Sequence, residues 1–289
     1  MLELLYISKW GGTLDLIKNN LFTLTNVDGM TAAATDISSV VIGGVDGDYI
    51  NDIRAQPRGI IFDLRIKQGV NVESAKRAVL DIVKLKQKCS LKWTQNGRTL
   101  VINAVVDGVT MPRFSNEVTM QISLHCAQPF WEDLNDIISE ISEAISLFYF
   151  TDYANDMLYF PDDGIPFGAY DFSRTRTFYN AGDVAVGMVI EILAVKTVTN
   201  PIIYDQNGNF FGVGYGSKTV TMYAGDIMTI NTNVGQKSVT LNGVSQLDKI
   251  KPRSTWLVLE AGENEFSINS TDTDTDNMIF TMSYKQRYI

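Results

Sequence analysis

Histidine and cysteine are nearly missing from this chain of 289 residues, which has one histidine, His125, and two cysteines, Cys89 and Cys126. Two cysteines cannot build a disulfide framework or a structural zinc site. A lone histidine removes most metal chemistry and most nucleophile–base pairs at once. Cations are scarce as well: 24 Lys and Arg stand against 33 Asp and Glu, a net charge of −9. That balance argues against a general nucleic-acid binder, which must neutralise phosphates, and against docking on an anionic membrane. No apolar run approaches the roughly 18 residues of a membrane-spanning helix. The start, Met1 to Tyr6, lacks the basic segment and long apolar core of a secretory signal, so no leader is expected. Neither a G-x-S-x-G elbow nor an H-E-x-x-H helix occurs. With no cofactor or metal expected, a building part is a better expectation than an enzyme.

What the chain does have is the makeup of a folded protein: 45% hydrophobic and 20% charged residues, enough apolar material for a core in each of two domains. Leu2–Ile7 and Leu14–Ile17, split by Gly11-Gly12, suggest a hairpin. Asp28 to Arg58 is a long irregular stretch with Gly43-Gly44, Asp46-Gly47 and Gln56-Pro57; loops of that length are usually functional. Gly59–Ile66 alternates as a strand. Val72, Ala75, Val79, Ile82 and Val83 recur at helical spacing and predict a helix from Val72 to about Lys86, with Asn71 as N-cap, Glu73 in its first turn and lysines at its end. Ser90–Thr94 and Thr99–Val106 flank Asn96-Gly97, a strong hairpin signal. Glu117–Ala127 is a further strand, stopped by Pro129.

Residues 132–170 change character. Leu134, Ile137, Ile138, Ile141 and Ile145 have helical spacing, and an aromatic, turn-rich run follows; the segment is expected to be a connector. From Tyr170 onward short strands are punctuated by Asn180-Ala-Gly182-Asp183, Asn207-Gly208, Ala224-Gly225-Asp226, Asn242-Gly243 and Gly262-Glu-Asn264, the pattern of a β-sandwich or barrel. Trp256–Glu260 is among the expected strands. The domains are therefore expected at 1–131, with the helix at 72–86, and at 171–289, joined by the connector 132–170.

Chemistry-bearing candidates weigh out weakly. Gly212-Val-Gly214-Tyr-Gly216-Ser-Lys218-Thr219 suggests a phosphate loop, but Ser217 separates glycine from lysine and a strand pattern follows where a helix is needed. Asp272-Thr-Asp274-Thr-Asp276 alternates like a calcium loop but lacks its glycine and terminal glutamate, so a solvated turn is favoured. His125 and Cys126 are adjacent, which in a strand puts them on opposite faces. Cys126 could still meet Cys89.

The order of these features resembles the distal tail protein family of tailed phages, which also occurs in phage-like tail particles. The likeness is carried by the early hydrophobic strands, the Gly/Asp-rich loop before Gly59-Ile-Ile-Phe-Asp-Leu64, the helix 72–86 and the strand ending Cys126-Ala-Gln-Pro129-Phe130-Trp131. It continues in Asn180-Ala-Gly182-Asp183 with Asn200-Pro201, and in the block from Ala224-Gly225-Asp226 through Val239, Gly243, Trp256-Leu-Val-Leu259 and Gly262-Glu-Asn264. The connector departs from the family, being longer and more aromatic.

The resemblance implies a mainly β protein: a tail-tube-like β-sandwich or barrel with one flanking helix, then a galectin-like β-sandwich. It implies a structural, non-catalytic component of the virion, assembled in the host cytoplasm and placed at the tail tip or baseplate. A homohexameric hub ring would join the tail-tube protein to the tail-tip hub (tail-associated) protein and to receptor-binding or fibre proteins, during attachment and genome ejection. DNA would pass through without specific binding. Six copies carry 6 × (−9) = −54, and part of that charge is expected to line the lumen. A ring needs heterologous contacts. Loop 28–58 is expected to supply them through Val41, Tyr49, Ile50 and Ile53, with Arg54 and Arg58 pairing with a neighbour's carboxylates; an internal hairpin is the competing expectation. The alternative function is a carbohydrate-binding module acting on host cell wall through Trp256, Tyr204 or Tyr215.

Overall fold

The computed structural model describes residues 2–111, 118–140, 143–145, 169–171, 175–269 and 278–289. It is mainly β and divides into two compact units, 1–135 with 287–289, and 136–286.

In the first unit the strands are β1 (Glu3–Ser8), β2 (Thr13–Asp15), β3 (Phe22–Asp28), β4 (Thr35–Val41), β5 (Asp48–Ala55), β6 (Arg58–Ile66), β7 (Lys88–Gln95), β8 (Arg98–Thr110), β9 (Thr119–Cys126) and β10 (Trp131–Asp133), with helix α1 (Val72–Ile82) between β6 and β7. One sheet runs β2-β1-β7-β8-β9-β6-β3 and does not close into a barrel. Strict alternation builds its inner face: Leu4 and Tyr6, Ile60, Phe62 and Leu64, Ile102 and Ala104, Met120, Ile122 and Leu124 are all buried. Asn96-Gly97 makes the two-residue turn between β7 and β8, both residues at positive φ (53° and 85°), as a type I′ turn requires.

Helix α1 lays Ala75 and Val79 on this core, and the Asn71 carboxamide oxygen caps it by accepting from Ser74 N–H at 3.0 Å. The helix ends at Ile82, short of the expected Lys86. Val83 is extended and fully buried, and Lys86 is left-handed (φ 62°), because the chain must turn here into β7. The lysines beyond it therefore do not belong to its last turn.

The expected irregular loop 28–58 is largely ordered: β4 and β5 pair as a separate antiparallel hairpin. A second departure lies at the chain's end. β25 (Arg287–Tyr288) pairs with β10, Trp131 opposite Tyr288, and so belongs to the first unit.

The second unit is a two-layer sandwich. Its strands are β11 (Ile137–Glu140), β12 (Glu143–Ile145), β13 (Ala169–Asp171), β14 (Thr175–Asn180), β15 (Met188–Ala194), β16 (Val198–Thr199), β17 (Ile202–Asp205), β18 (Phe210–Gly212), β19 (Thr221–Met222), β20 (Ile227–Asn231), β21 (Ser238–Leu241), β22 (Val244–Ser245), β23 (Gly262–Asn269) and β24 (Met278–Tyr284). One sheet runs β11-β24-β15-β20-β21-β22 and the other β14-β23-β17-β18. Between them pack Ile190, Ile192, Met228, Ile230, Phe280 and Met282 from the first, and Phe178, Ile203, Phe211, Phe266 and Ile268 from the second.

Two expectations are corrected here. The helical spacing from Leu134 yields no helix over 137–140, which is strand β11 on the edge of β24; an apolar run this short satisfies either period, and a free strand edge captures it. Trp256–Glu260 is not a ladder strand. Leu257 and Leu259 are buried, but Leu259 makes one bridge, to Val186, with both hydrogen bonds at 2.9 Å. Most of the connector and the run Asp272–Asp276 lie outside the described residues.

Candidate functional site

The β4–β5 hairpin pairs with no other strand among the described residues. Its register places Ile37 opposite Ile53, Ser39 opposite Ile50 and Val40 opposite Tyr49, with an irregularity after Ser38. Cross-strand partners share a face. One face thus carries Ile37, Ile53, Ile50 and Val41, and the other carries the Asp36/Arg54 pair and then Val40/Tyr49. None of these apolar side chains is covered: Val41 is 74% exposed, Tyr49 63%, Ile53 59%, Ile37 57% and Ile50 51%. A two-stranded sheet standing alone is marginal in water, and contiguous exposed apolar surface marks an interaction site.

The expected arginine contacts fall out differently. Arg54 is used within the hairpin, its Nε and Nη2 donating to Asp36 Oδ2 at 2.9 and 2.7 Å. Arg58 is 4% exposed and stands at the hairpin's root. Its Nη1 donates to the Met30 and Gly29 carbonyls at 3.3 and 3.5 Å, and burial pushes its pKa down. Both guanidinium groups therefore act on this chain, one bracing the hairpin and the other tying its root. Gly29 adjoins that root at φ +81°, where a Cβ would fall 1.9 Å from the Gly59 carbonyl oxygen. Sequence reasoning missed Ile37, whose neighbours Ser38 and Ser39 break the alternation that would have exposed the pattern.

The chemical candidates resolve into structure. His125 is exposed and Cys126 buried, on opposite sides of β9. Cys89 pairs across the ladder with Ala104, and the inward face of the same three strands also carries Cys126. Two strand spacings, about 9–10 Å, separate the two cysteines, too far for a disulfide. Burial pushes both thiols up to about 11 from an ordinary 9.0. Thiol reagents at pH 8 are therefore expected to leave the folded protein unlabelled and to label two thiols after denaturation. Between pH 9 and 11 the unfolded chain ionises its thiols while the folded chain keeps them neutral, so stability falls as pH rises. Denaturant midpoints at pH 8 and 10.5, against a Cys89→Ala/Cys126→Ala variant, measure that difference.

The glycine cluster is a packing device. Gly214 has φ +93°, and a Cβ there would meet Asn200 Oδ1 at 1.9 Å; that oxygen accepts from Val220 N–H at 2.9 Å. Strand β19, not a helix, follows. Trp256 is half-buried and packs on Phe211 (ring centroids 4.8 Å), Tyr204 packs on Phe210, and Tyr215 is half-buried, so the aromatics named for sugar stacking are partly used internally. Other motif residues lock turns. Asn180 Nδ2 donates to the Val184 and Leu259 carbonyls while its Oδ1 accepts from Gly182 N–H. Asp226 accepts from Tyr223 N–H at 2.7 Å and from Asn242 Nδ2 at 2.8 Å, bonds that hold its carboxyl below the usual range. No described helix is long and apolar enough to cross a membrane.

Residues 181–288 match the family model described as siphovirus-type tail component, C-terminal domain. The crystal structure of the Dit protein of phage SPP1, described as a paradigm of the hub adsorption apparatus in phages infecting Gram-positive bacteria, superposes with a TM-score of 0.65 at 12% identity, covering 98% of each chain. Chains of the phage p2 baseplate in its activated conformation, with strontium or calcium, align over 100% of both chains at 13% and 12% identity, each with a TM-score of 0.47. No curated protein matches in sequence.

Proposed function

We propose that this chain, which carries the fold of a phage Dit protein and a siphovirus-type tail component domain, is a structural part of a tail tip or baseplate in a phage or phage-like particle. Six copies close into a hub ring. The ring joins the tail tube to the tail-tip hub protein and to receptor-binding or fibre proteins, and DNA passes through it during genome delivery without specific binding. The protein is assembled in the host cytoplasm and makes or breaks no bond. The first unit is the tail-tube-like ring former, and the second is the galectin-like domain that meets other tail components.

The observation that carries this reading is the uncovered hairpin, with Ile37, Val41, Tyr49, Ile50 and Ile53 all more than half exposed. Heterologous contact from such an arm is what a ring of identical subunits needs. Deleting residues 44–55 is expected to leave both units folded, with an unchanged far-ultraviolet dichroism spectrum outside the lost strand, and to reduce the particle to a monomer in light scattering. An intact, folded hexamer without those residues would remove the hairpin from the interface.

A further inference from the structure

We infer that the hairpin of one copy docks in a groove on the first unit of the next copy, lined by Ile7, Lys9, Lys88, Val105, His125 and Ala127. The inference rests on the ring reading and names the surface that receives the arm.

The groove measures about 500 Å³ and opens over β1, β7, β8 and the end of β9. Its floor is largely apolar, and the ionisable side chains around it are Lys9, Lys88 and His125, the buried Cys89 aside, with no carboxylate. Lys9, Lys88 and Ala127 are exposed. Trp10 follows Lys9 in the turn after β1 and is 82% exposed. A bare tryptophan beside an apolar groove is the kind of side chain that anchors an interface centre.

The hairpin is the complement in both respects. It offers the apolar stripe already described, and over residues 35–55 it carries four aspartates, Asp36, Asp46, Asp48 and Asp52, against Arg54 alone, a net −3. Arg54 is spent on Asp36, so the acids nearest the tip, Asp46 and Asp48, are left for cations elsewhere.

Sheet order supplies the geometry. The hairpin joins β3 to β6 at one edge, while the groove lies toward the opposite edge in the order β2-β1-β7-β8-β9-β6-β3. Both lie at the same end of the strands. Register aligns Ser8 with Cys89, Lys88 with Val105, Val105 with His125, and Arg58 with Cys126. An arm at one edge and its receptor toward the other make a head-to-tail contact, which closes into a ring when the rotation permits. Eight extended residues give the arm a reach of roughly 26 Å.

Charge exchange in the full-length protein tests this. Lys9→Glu/Lys88→Glu is expected to raise the concentration at which copies associate about ten-fold or more, because it sets like charges against each other, and to leave the melting temperature unchanged. Asp46→Lys/Asp48→Lys is expected to do the same. Combining all four substitutions in one chain is expected to restore assembly, as each reversed arm then meets a reversed groove. Failure of the combined variant to recover overturns the pairing. Normal assembly of Lys9→Glu/Lys88→Glu, where deletion of 44–55 abolishes it, also overturns the groove while leaving the hairpin's role in place. Normal assembly of the deletion itself would remove the hairpin from the interface and overturn the inference with the ring intact, whereas a full-length chain that stays monomeric would instead defeat the ring reading beneath it.

Discussion

Removing Arg287, Tyr288 and Ile289 is expected to destabilise the first unit by about 3–5 kcal/mol, the range for deleting a buried aromatic, and to leave the second unit's transition in place. Tyr288 is 8% exposed and lies opposite Trp131, itself 1% exposed and packed on Trp93 at 5.7 Å. The Arg98 guanidinium sits 3.7 Å from the centre of the Tyr288 ring, and the Tyr288 hydroxyl donates to Asp133 Oδ2 at 2.9 Å. Arg287 reaches Glu132 at 2.7 Å, with both side chains only about a fifth exposed. The truncation removes the Arg287 and Tyr288 contacts together and opens Trp131 to water. Calorimetry should show the first unit melting roughly 10 °C earlier, and tryptophan emission should shift to the red. Tyr288→Phe, which loses only the hydroxyl's bond, should cost about 1 kcal/mol. An unchanged first transition in the truncated chain would mean that β25 does not hold this unit.

Gly29→Ala is the second large effect, expected at about 2–5 kcal/mol, from left-handed strain together with overpacking. The added methyl would lie 1.9 Å from the Gly59 carbonyl oxygen and 3.2 Å from the Ile60 Cα, both backbone atoms of β6 that cannot swing aside. β3 must then separate from β6, and the Gly29 carbonyl moves away from Arg58. Gly69→Ala is the control: Gly69 has the same φ of +81° and nothing within 4 Å of its missing Cβ, so it reports the conformational strain alone. Chemical denaturation of both variants separates clash from strain. Equal losses would show that the root of the hairpin is slack. A larger loss in Gly29→Ala, accompanied by failed assembly, is the expected result.

Local signals in the chain were good guides wherever one residue type does one local job. Asn96-Gly97 made its turn, Asn71 its cap, and the alternation of Gly59–Ile66 its strand. The motif residues behind the family likeness proved to be such devices too, Asn180, Asn200 and Asp226 each fixing a turn or a close backbone approach. What was not legible depends on partners distant in sequence. Arg287–Tyr288 carries no local sign that its strand partner is at 131–132. Ile137 and Ile138 fit a helical period and became a strand because an edge of β24 was there to pair with. The helix stopped at Ile82 because the core needed Val83 extended, which helical spacing alone could not reveal. In the candidate interface, the apolar residues of loop 28–58 were readable as too hydrophobic to be idle. Their division into two faces needed the register around Ser38, and the roles of Arg54 and Arg58 needed the positions of Asp36 and the Gly29 carbonyl.

The proposal as a whole stands on self-association, and the mass of the purified full-length protein in solution, followed over a wide concentration range, addresses it most directly. The predicted result is a particle of six chains, 6 × 32.2 = 193 kDa, seen as a six-fold ring by microscopy. A species that stays at 32.2 kDa at every concentration, with catalytic turnover of a small molecule, would contradict it.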